Sequence, residues 1–242
     1  MPRFFVEKKN ISDTYITICG DDARHIGRSL RMKLSEKITV CCQNTDYECE
    51  IKSISDEEVV ASIISVTKNI SEPDILLTLF QAVPKADKLE LIVQKAVELG
   101  AVQVVPVLTR RCVAKYDEKS FAKKLARLQK IAKEAAMQSG RGIVPKISSI
   151  ISLDDYCECL DDFDLNLLCY EGGGRKLSEI DSLKEAKSVS LFIGSEGGFD
   201  EEEVLAAAQK GAIPITLGNR ILRCETAPIC AISIIMNLSG NI

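Results

Sequence analysis

The chain has 242 residues and a formal net charge of −4 at pH 7; 46% of its residues are hydrophobic and 27% are charged. This composition is typical of a folded, water-soluble protein and excludes an intrinsically disordered one. No apolar stretch is long enough to cross a bilayer, and the N-terminal segment MPRFFVEKKN lacks the apolar core of a secretory signal. We therefore predict a cytoplasmic protein with one large domain or two modest ones.

The ten cysteines and the single histidine do not have the spacing of a metal site. The chain contains no CxxC pair, Cys157 and Cys159 form only a CxC, and His25 lies far from both. Zinc sites combine such ligands at short, regular spacings. The sequence therefore predicts no metal, and most of the thiols are predicted to be small buried hydrophobes in a reducing compartment.

The first 70 residues are predicted to form a small β-barrel, because short runs of alternating apolar and polar residues are separated by polar turns. These runs are FFV, TYITI (14–18), KITVCC (37–42), DYECEIKSI (46–54) and EVVASIISV. A helix is predicted at 21–33. Within it, Arg24, Arg28 and Arg31 fall at i, i+4 and i+7 and would share one face.

The pattern changes at SEPD (71–74), so we place a linker there and predict two domains, 1–71 and 72–242. In the second domain, apolar strands alternate with amphipathic helices, which indicates an α/β fold with a mainly parallel sheet. The predicted strands are ILLTLFQAV (75–83), VQVVPVL (102–108), LNLLCY (165–170), VSLFI (189–193) and IPITL (213–217). The predicted helices are 87–100, 118–139, 200–210 and 227–239, with Gly100, Gly140 and Gly211 closing the first three.

One segment is strongly basic although the chain as a whole is acidic. Residues 110–146 contain eleven Lys or Arg residues and only three acidic ones. A local excess of this kind can bind nucleic acid even on an acidic protein. A solvated helix face is the equally weighted alternative.

Three glycine-bearing loops follow three of the predicted strands, at residues 170–172, 194–199 and 217–223. Neither GxGxxG nor GxxxxGK[ST] occurs, so the usual phosphate-binding motifs are absent. In an open α/β sheet, ligands bind beyond the carboxyl ends of the strands. Three such loops in one half of the chain favour a site for a flat heterocycle over three unrelated tight turns.

Four segments resemble, in this order, motifs of the bacterial 16S rRNA (uracil-N3)-methyltransferases of the SPOUT class: DKLELIVQKAVELGAVQVVPVLTRRCV, KEAAMQSGR, IGSEGGFDEEE and LGNRILRCETAPICAIS. The likeness runs nearly end to end, since DDARHIGRSLRMKLSEKITV is similar to the N-terminal RNA-binding barrel of that family. Ser195 and Cys224 depart from the pattern, in which proline and threonine are common at these two positions.

The resemblance implies a fold, a cofactor and partners. The fold would be a PUA-like β-barrel followed by a SPOUT-type α/β domain, whose C-terminal segment threads a deep trefoil knot. S-adenosylmethionine would lie among the knot loops, and the chain would form a homodimer with each cofactor site near the partner. The activity would be methylation of uridine N3 in 16S rRNA, within the small ribosomal subunit.

Three sets of site residues follow from the same resemblance. The cofactor-binding set is Leu168, Tyr170, Glu171, Ile193, Gly194, Glu196, Gly197, Gly198, Leu217, Gly218, Ile221, Leu222, Arg223, Glu225, Thr226 and Ala227. The RNA-binding set is Arg3, Arg24, His25, Arg28, Arg31 and Lys33. The catalytic candidates are Arg223, Glu98, Arg111 and Arg141.

Transfer to uridine N3 requires a base for the imide proton or a cation for the resulting anion, and the sequence does not divide these roles. Glu98 also suits a helix-end charge, and Glu225 a carboxylate favoured by a helix N-terminus. Two other functions stay open. One is a SPOUT enzyme that methylates a ribose 2′-oxygen in tRNA or rRNA, and the other is a non-catalytic RNA-binding factor for ribosome assembly.

Overall fold

The computed structural model describes residues 1–114, 116 and 118–242. Lys115 and Asp117, which were counted in the basic segment, lie outside the described residues. The chain divides into two compact units: residues 1–72 with 136–144, and residues 73–135 with 145–242. The first boundary falls within the predicted linker. The grouping of 136–144 with the first unit is a feature that the sequence did not indicate.

A five-stranded sheet forms the first unit. Its strands are β1 (Arg3–Phe5), β2 (Tyr15–Cys19), β3 (Lys37–Cys42), β4 (Thr45–Ile54) and β5 (Glu58–Lys68), in the order β1-β3-β4-β5-β2. The β1–β3 pair is parallel and the other pairs are antiparallel. Alternate side chains, among them Phe4, Ile16 and Ile38, fill one apolar core. The five predicted strands are therefore confirmed.

The predicted helix at 21–33 is wrong in its second half. Helix α1 covers only Asp21–Arg24, a π-helical turn continues over His25–Ser29, and Arg31 has a left-handed φ of 52°. Gly27, a poor helix former, lies in this turn, where a Cβ atom would be 3.2 Å from a neighbouring isoleucine side chain. The three arginines therefore do not line one face of a continuous α-helix.

An eight-stranded sheet forms the second unit. Its strands are β6 (Leu76–Ala82), β7 (Gln103–Leu108), β8 (Lys146–Ile147), β9 (Ile151–Ser152), β10 (Leu165–Cys169), β11 (Arg175–Lys176), β12 (Ser188–Ile193) and β13 (Ile213–Thr216). The order is β11-β13-β10-β12-β6-β7-β8, with β9 also paired to β7. These pairings are parallel, which confirms the predicted sheet type.

The helices of the second part of the chain are α2 (Lys88–Glu98), α3 (Glu118–Ser139), α4 (Leu153–Glu158), α5 (Glu201–Gln209) and α6 (Thr226–Leu238). Gly100, Gly140 and Gly211 have φ values of 102°, 78° and 98°, so each follows its helix in the left-handed conformation, as predicted. The sequence missed α4 because six residues are too few to show a helical period. Among the helices described here, none is long and apolar enough to span a membrane.

Candidate functional site

The carboxyl ends of four neighbouring strands lie at one level of the parallel sheet. Cys169 at the end of β10 pairs with Ile193 at the end of β12 and with Ile215 of β13. Ile193 in turn pairs with Gln81 of β6. The loops after β10, β12 and β13 therefore leave the sheet side by side, where ligands bind in open α/β folds.

These three loops surround a cavity of about 720 Å³ in the second unit, as the sequence predicted. This volume lies in the range of small-molecule sites, about 300–1,000 Å³. The lining residues are Lys88, Cys169, Tyr170, Glu171, Gly172, Gly173, Ile193, Gly194, Ser195, Glu196, Gly197, Gly198, Thr216, Leu217, Gly218, Asn219, Arg220, Ile221, Leu222, Arg223, Cys224 and Ala227.

All but three of the predicted cofactor-binding residues line this cavity. Leu168 instead belongs to the buried core of the sheet, and Thr226 is the first residue of α6. Glu225 lies just outside the lining, with its carboxylate 3.4 Å from Lys88 Nζ. Lys88 was missed by the sequence reasoning, because a lysine in the first turn of a helix has no distinctive pattern.

Both ends of the β12–α5 loop are fixed by buried side chains. Gln81 is fully buried, and its Nε2 donates hydrogen bonds to the carbonyl oxygens of Ala82 at 3.0 Å and Gly194 at 3.2 Å. At the other end Phe199 is 1% exposed, and its ring centroid lies 4.7 Å from that of Phe192. The glycine-rich segment between these anchors therefore keeps its shape against the cavity.

A capping box starts α5 directly after this loop. Glu203 is 2% exposed and uses both carboxylate oxygens: Oε2 accepts from the Asp200 N–H at 2.9 Å and Oε1 from the Arg110 N–H at 2.8 Å. The Asp200 side chain accepts in turn from the Glu202 N–H at 3.2 Å. These contacts satisfy donors that a helix N-terminus leaves open, and they tie the β7–α3 loop to the site.

Three glycines that line the cavity, Gly173, Gly198 and Gly218, have positive φ values that other residues rarely adopt. Gly198 has a φ of 66°, and a Cβ atom there would lie 1.8 Å from Glu171 Oε1. Gly218 has a φ of 102°, and a Cβ atom there would meet no other atom within 4 Å. Gly198 therefore permits a close approach between two loops, and Gly218 borders open space.

Three charged side chains, Lys88, Glu196 and Glu225, meet at one part of the cavity wall, and we call them the charged cluster. Lys88 Nζ lies 2.9 Å from Glu196 Oε1 and 3.4 Å from Glu225 Oε2. The hydrogen bond with Glu196 raises the pKa of Lys88. Burial opposes ionisation of Glu196, but the hydrogen bonds from Lys88 and from backbone N–H groups outweigh it and lower the pKa of this carboxyl.

The catalytic candidates are not all at the cavity. Arg223 is exposed and lines it. Arg111 lies behind the glycine loop, where its Nη1 donates to the Gly197 carbonyl oxygen at 3.1 Å and its Nη2 is 3.6 Å from Asp200. Glu98 accepts from Lys95, one turn earlier in α2, at 2.8 Å.

Arg141, the fourth catalytic candidate, is a buried residue of the first unit. It is 3% exposed and forms a two-point ion pair with Glu72, at 2.6 and 3.1 Å. The same carboxylate accepts from the backbone N–H groups of Gly142 and Ile143. Such a fully satisfied pair is typical of a structural ion pair.

Among the RNA-binding candidates, several are paired with carboxylates. Arg3 is mostly buried and forms two hydrogen bonds with Asp46, at 2.6 and 2.7 Å. Arg28 forms a two-point pair with Asp56 on the surface. Arg24 pairs with a neighbouring aspartate of α1. The remaining candidates are exposed: His25, Arg31 and Lys33.

His, Cys, Asp and Glu side chains nowhere gather in threes as a metal-binding group in the part of the chain that the structure describes. The cavity offers a ligand backbone groups, apolar walls, the charged cluster and the exposed side chains of Glu171, Arg220 and Arg223.

Comparison with known proteins identifies the class. A family model described as an RNA methyltransferase domain matches residues 71–236, and one described as an RNA methyltransferase PUA domain matches residues 18–64. Together with the parallel sheet and its cavity, these matches define an RNA methyltransferase of the SPOUT-type α/β-knot fold with a PUA-like domain, as predicted.

Individual relatives are more specific. The ribosomal RNA small subunit methyltransferase E of Bacillus subtilis is 36% identical over 97% of this chain and 96% of its own length, and that of Mesomycoplasma hyopneumoniae is 33% identical over 95% and 96%. The crystal structure of the Neisseria gonorrhoeae enzyme of that name, bound to S-adenosyl methionine, has a TM-score of 0.90 at 30% identity and covers 98% of both chains. The chain belongs to the ribosomal RNA small subunit methyltransferase E family.

A solved structure of a Legionella pneumophila methyltransferase with bound S-adenosylmethionine is also similar, with a TM-score of 0.89 and 28% identity over 97% of this chain and 96% of that one. The residues present here fit that cofactor. The cavity has sufficient volume, Ile193, Leu217 and Leu222 give apolar walls for an adenine ring, and the open space at Gly218 leaves backbone groups accessible.

Proposed function

We propose that this chain transfers a methyl group from S-adenosylmethionine to N3 of a uridine in 16S rRNA, in the cytoplasm. One observation carries the proposal: the cavity formed by three glycine-bearing loops at the carboxyl edge of the sheet, in a chain of the small-subunit methyltransferase E family. Bound S-adenosylmethionine supplies an electrophilic methyl group on a sulfonium, so the protein must mainly position the two reactants.

The fixed loops account for that positioning. Gln81 and Phe199 hold the two ends of the β12–α5 loop before any ligand arrives. Arg111 supports the same loop from behind through its hydrogen bond to Gly197. We therefore assign Arg111 to loop positioning, since a pre-organised site loses less entropy when the reactants bind.

Arg223 is the residue to which we assign charge stabilisation. Uridine N3 carries an imide proton, and its loss places negative charge on the neighbouring oxygens O2 and O4. A guanidinium is protonated at all ordinary pH values, so Arg223 cannot serve as the base. Its exposed position at the cavity suits a cation that stabilises the anion as it forms. The ion pairs of Glu98 and Arg141 support structural roles for those two residues.

Nucleoside analysis tests the reaction. Mass spectrometry of 16S rRNA from a strain lacking this protein should show loss of 3-methyluridine, restored by the wild-type gene and not by Arg223→Ala. Loss of a 2′-O-methyl nucleoside instead would support the ribose-methylating alternative. Failure of the purified chain to bind S-adenosylmethionine in calorimetry would support the non-catalytic assembly factor.

We also propose that the chain works as a homodimer. One side of α6 packs against α2 and is buried, whereas Ile229, Cys230 and Ile234 on its other side are only half-buried. Ile221, in the cavity loop that precedes α6, is 85% exposed. Apolar side chains left open on a helix next to the site suit a contact with a second copy.

For RNA we propose phosphate contacts by exposed basic residues of both units. Arg31 and Lys33 are exposed on the first unit. On the second, α3 exposes Lys119, Lys123 and Arg127 at successive turns. Such contacts give affinity and orientation, while base contacts carry the sequence information.

A further inference from the structure

The charged cluster is a built feature of the cavity rather than a set of loose surface charges. Its three members come from separate segments: Lys88 from the first turn of α2, Glu196 from the glycine loop and Glu225 from the residue before α6. Their side chains are 29%, 27% and 21% exposed. Lys88 and Glu196 line the cavity, and Glu225 is outside the lining, with its carboxylate 3.4 Å from Lys88 Nζ.

Each carboxylate of the cluster has a further donor that fixes it. The Glu196 oxygens accept from the backbone N–H of Lys85 at 3.1 and 3.3 Å. Glu225 Oε2 accepts from Cys224 Sγ at 3.2 Å. The lysine is therefore held between two oriented carboxylates. A cluster of one ammonium and two carboxylates carries one net negative charge when all three groups are ionised.

Elsewhere the cavity wall combines apolar and backbone surfaces with the side chains of Glu171, Arg220 and Arg223, which are exposed, whereas those of the charged cluster are mostly buried. Ile193, Leu217 and Leu222 contribute aliphatic side chains, and the glycine loops contribute peptide groups. A ligand that fills the cavity therefore meets aliphatic and peptide surfaces in one place and, at the charged cluster, an ammonium held beside two carboxylates in another. S-adenosylmethionine has the matching division, because its adenine is flat and uncharged whereas its other end is an α-amino acid.

We propose that the charged cluster binds the amino-acid end of S-adenosylmethionine. Lys88 donates to the α-carboxylate, Glu196 accepts from the α-ammonium, and Glu225 orients Lys88. The surplus negative charge of the cluster complements the net positive charge of the cofactor, which carries a sulfonium and an ammonium against one carboxylate. This inference rests on the proposed function, since it assigns one end of the proposed cofactor to named side chains.

Two adenosine ligands isolate the interaction. S-adenosylhomocysteine and 5′-methylthioadenosine share the adenosine and a neutral sulfur, but only the first has the amino-acid end. We expect Lys88→Met and Glu196→Gln each to lower the affinity for S-adenosylhomocysteine, measured by calorimetry, by about 10- to 100-fold. Each variant removes one charge-assisted hydrogen bond to the amino-acid end. Affinity for 5′-methylthioadenosine should stay within about twofold, because the variants leave the apolar wall intact.

Lys130→Met and Glu134→Gln are the matched controls, because these residues form an exposed pair on α3 of the same unit. They should change neither affinity. The inference would be overturned if the cluster variants lowered the affinity for both ligands equally, or lowered the affinity for neither. A wild-type chain that binds neither S-adenosylmethionine nor S-adenosylhomocysteine is a separate result, which would overturn the proposed function itself.

Discussion

Gly198 lies where the β12–α5 loop comes closest to the side chain of Glu171. An alanine there would face two costs: a left-handed φ of 66°, and a Cβ atom 1.8 Å from the present position of Glu171 Oε1. The first cost is general, about 1–2 kcal/mol for a residue with a Cβ atom. The second is local, because Glu171 lines the cavity and must move to make room.

Gly198→Ala should therefore lower both the stability and the affinity for S-adenosylmethionine. Gly211→Ala is the matched control, because Gly211 has a φ of 98° but its Cβ atom would meet nothing within 4 Å. Both variants should lose stability in urea unfolding, Gly198→Ala at least as much as Gly211→Ala, whereas only Gly198→Ala should weaken cofactor binding in calorimetry. Equal affinities for the two variants would contradict the assignment of this loop to the cofactor.

Arg3 and Asp46 give a pH-dependent contribution to the stability of the first unit. Burial raises the pKa of Asp46, but hydrogen bonds from Arg3 and Asn69 outweigh it, so the net pKa is lowered. A lowered carboxyl pKa stabilises the fold above the unfolded-state value of about 3.9, and this contribution is lost as the pH falls through the folded-state pKa.

Arg3→Ala should cost about 1–3 kcal/mol of stability at pH 7, because it leaves the partly buried Asp46 carboxylate without its cationic partner. The difference from wild type should shrink as the pH falls through the lowered folded-state pKa of Asp46, because the protonated carboxyl no longer pairs with Arg3. Urea unfolding of both chains at pH 7, 5 and 3 measures this difference in unfolding free energy. Lys37→Ala, which breaks an exposed pair with Glu48, is the control and should show little effect at any pH. A difference that grows on acidification would refute the argument.

Individual site residues could be predicted from the sequence where they directly follow a recognisable strand and contribute backbone groups to the site. The loop residues that follow a buried strand, such as Gly194 and Leu217, could be placed at the carboxyl edge from strand order alone. Lys88 and Gln81 could not, because a lysine in a helix and a glutamine in a strand have no distinctive pattern. Their positions depend on which strands become neighbours, which the local sequence does not specify.

At the scale of elements, helix α3 carries the largest part of the basic segment. Lys119, Lys123, Arg127 and Lys130 are exposed at spacings of four, four and three residues, which places them along one side of the helix. Arg127 contacts Glu90 and Lys130 approaches Glu134. Lys119 and Lys123 are the better test residues, because the described part of the chain shows an ion pair for neither of them.

Lys119→Ala with Lys123→Ala should weaken RNA binding and reduce its salt dependence. Each lost phosphate contact should lower the slope of log K against log salt by about 0.7–0.9. The control removes the same charge elsewhere: Lys184→Ala with Lys187→Ala, where Lys187 precedes β12 at the amino edge of the sheet. Affinities measured at four salt concentrations decide the matter. A double variant on α3 that keeps the wild-type slope would assign that side of the helix to solvent alone.

Across the whole molecule, the sequence predicted the two sheets, the long helices and the edge of the parallel sheet that carries the cavity, but it did not predict the shortest strands. Long helices were predictable because their apolar stripes and closing glycines repeat over several turns, as in α2 with Gly100. The short strands β8, β9 and β11 have two residues each, too few for any period. The grouping of 136–144 with the first unit depends on contacts between distant segments, which no local pattern records.

The proposed dimer is a property of the whole molecule, and α6 provides its test. Ile234 lies on the half-buried side of α6, while Ile232 and Ile235 face the core and are fully buried. A glutamate at Ile234 would place a charge in the proposed interface, where desolvation without a partner is costly. Ile234→Glu should therefore sediment as a monomer of 26.6 kDa at concentrations where the wild type is a dimer.

Leu205→Glu is the control, because Leu205 is apolar and 61% exposed on α5. It should stay dimeric, and near-ultraviolet circular dichroism should show both variants folded. A folded Ile234→Glu chain that remains dimeric would exclude this side of α6 from the interface.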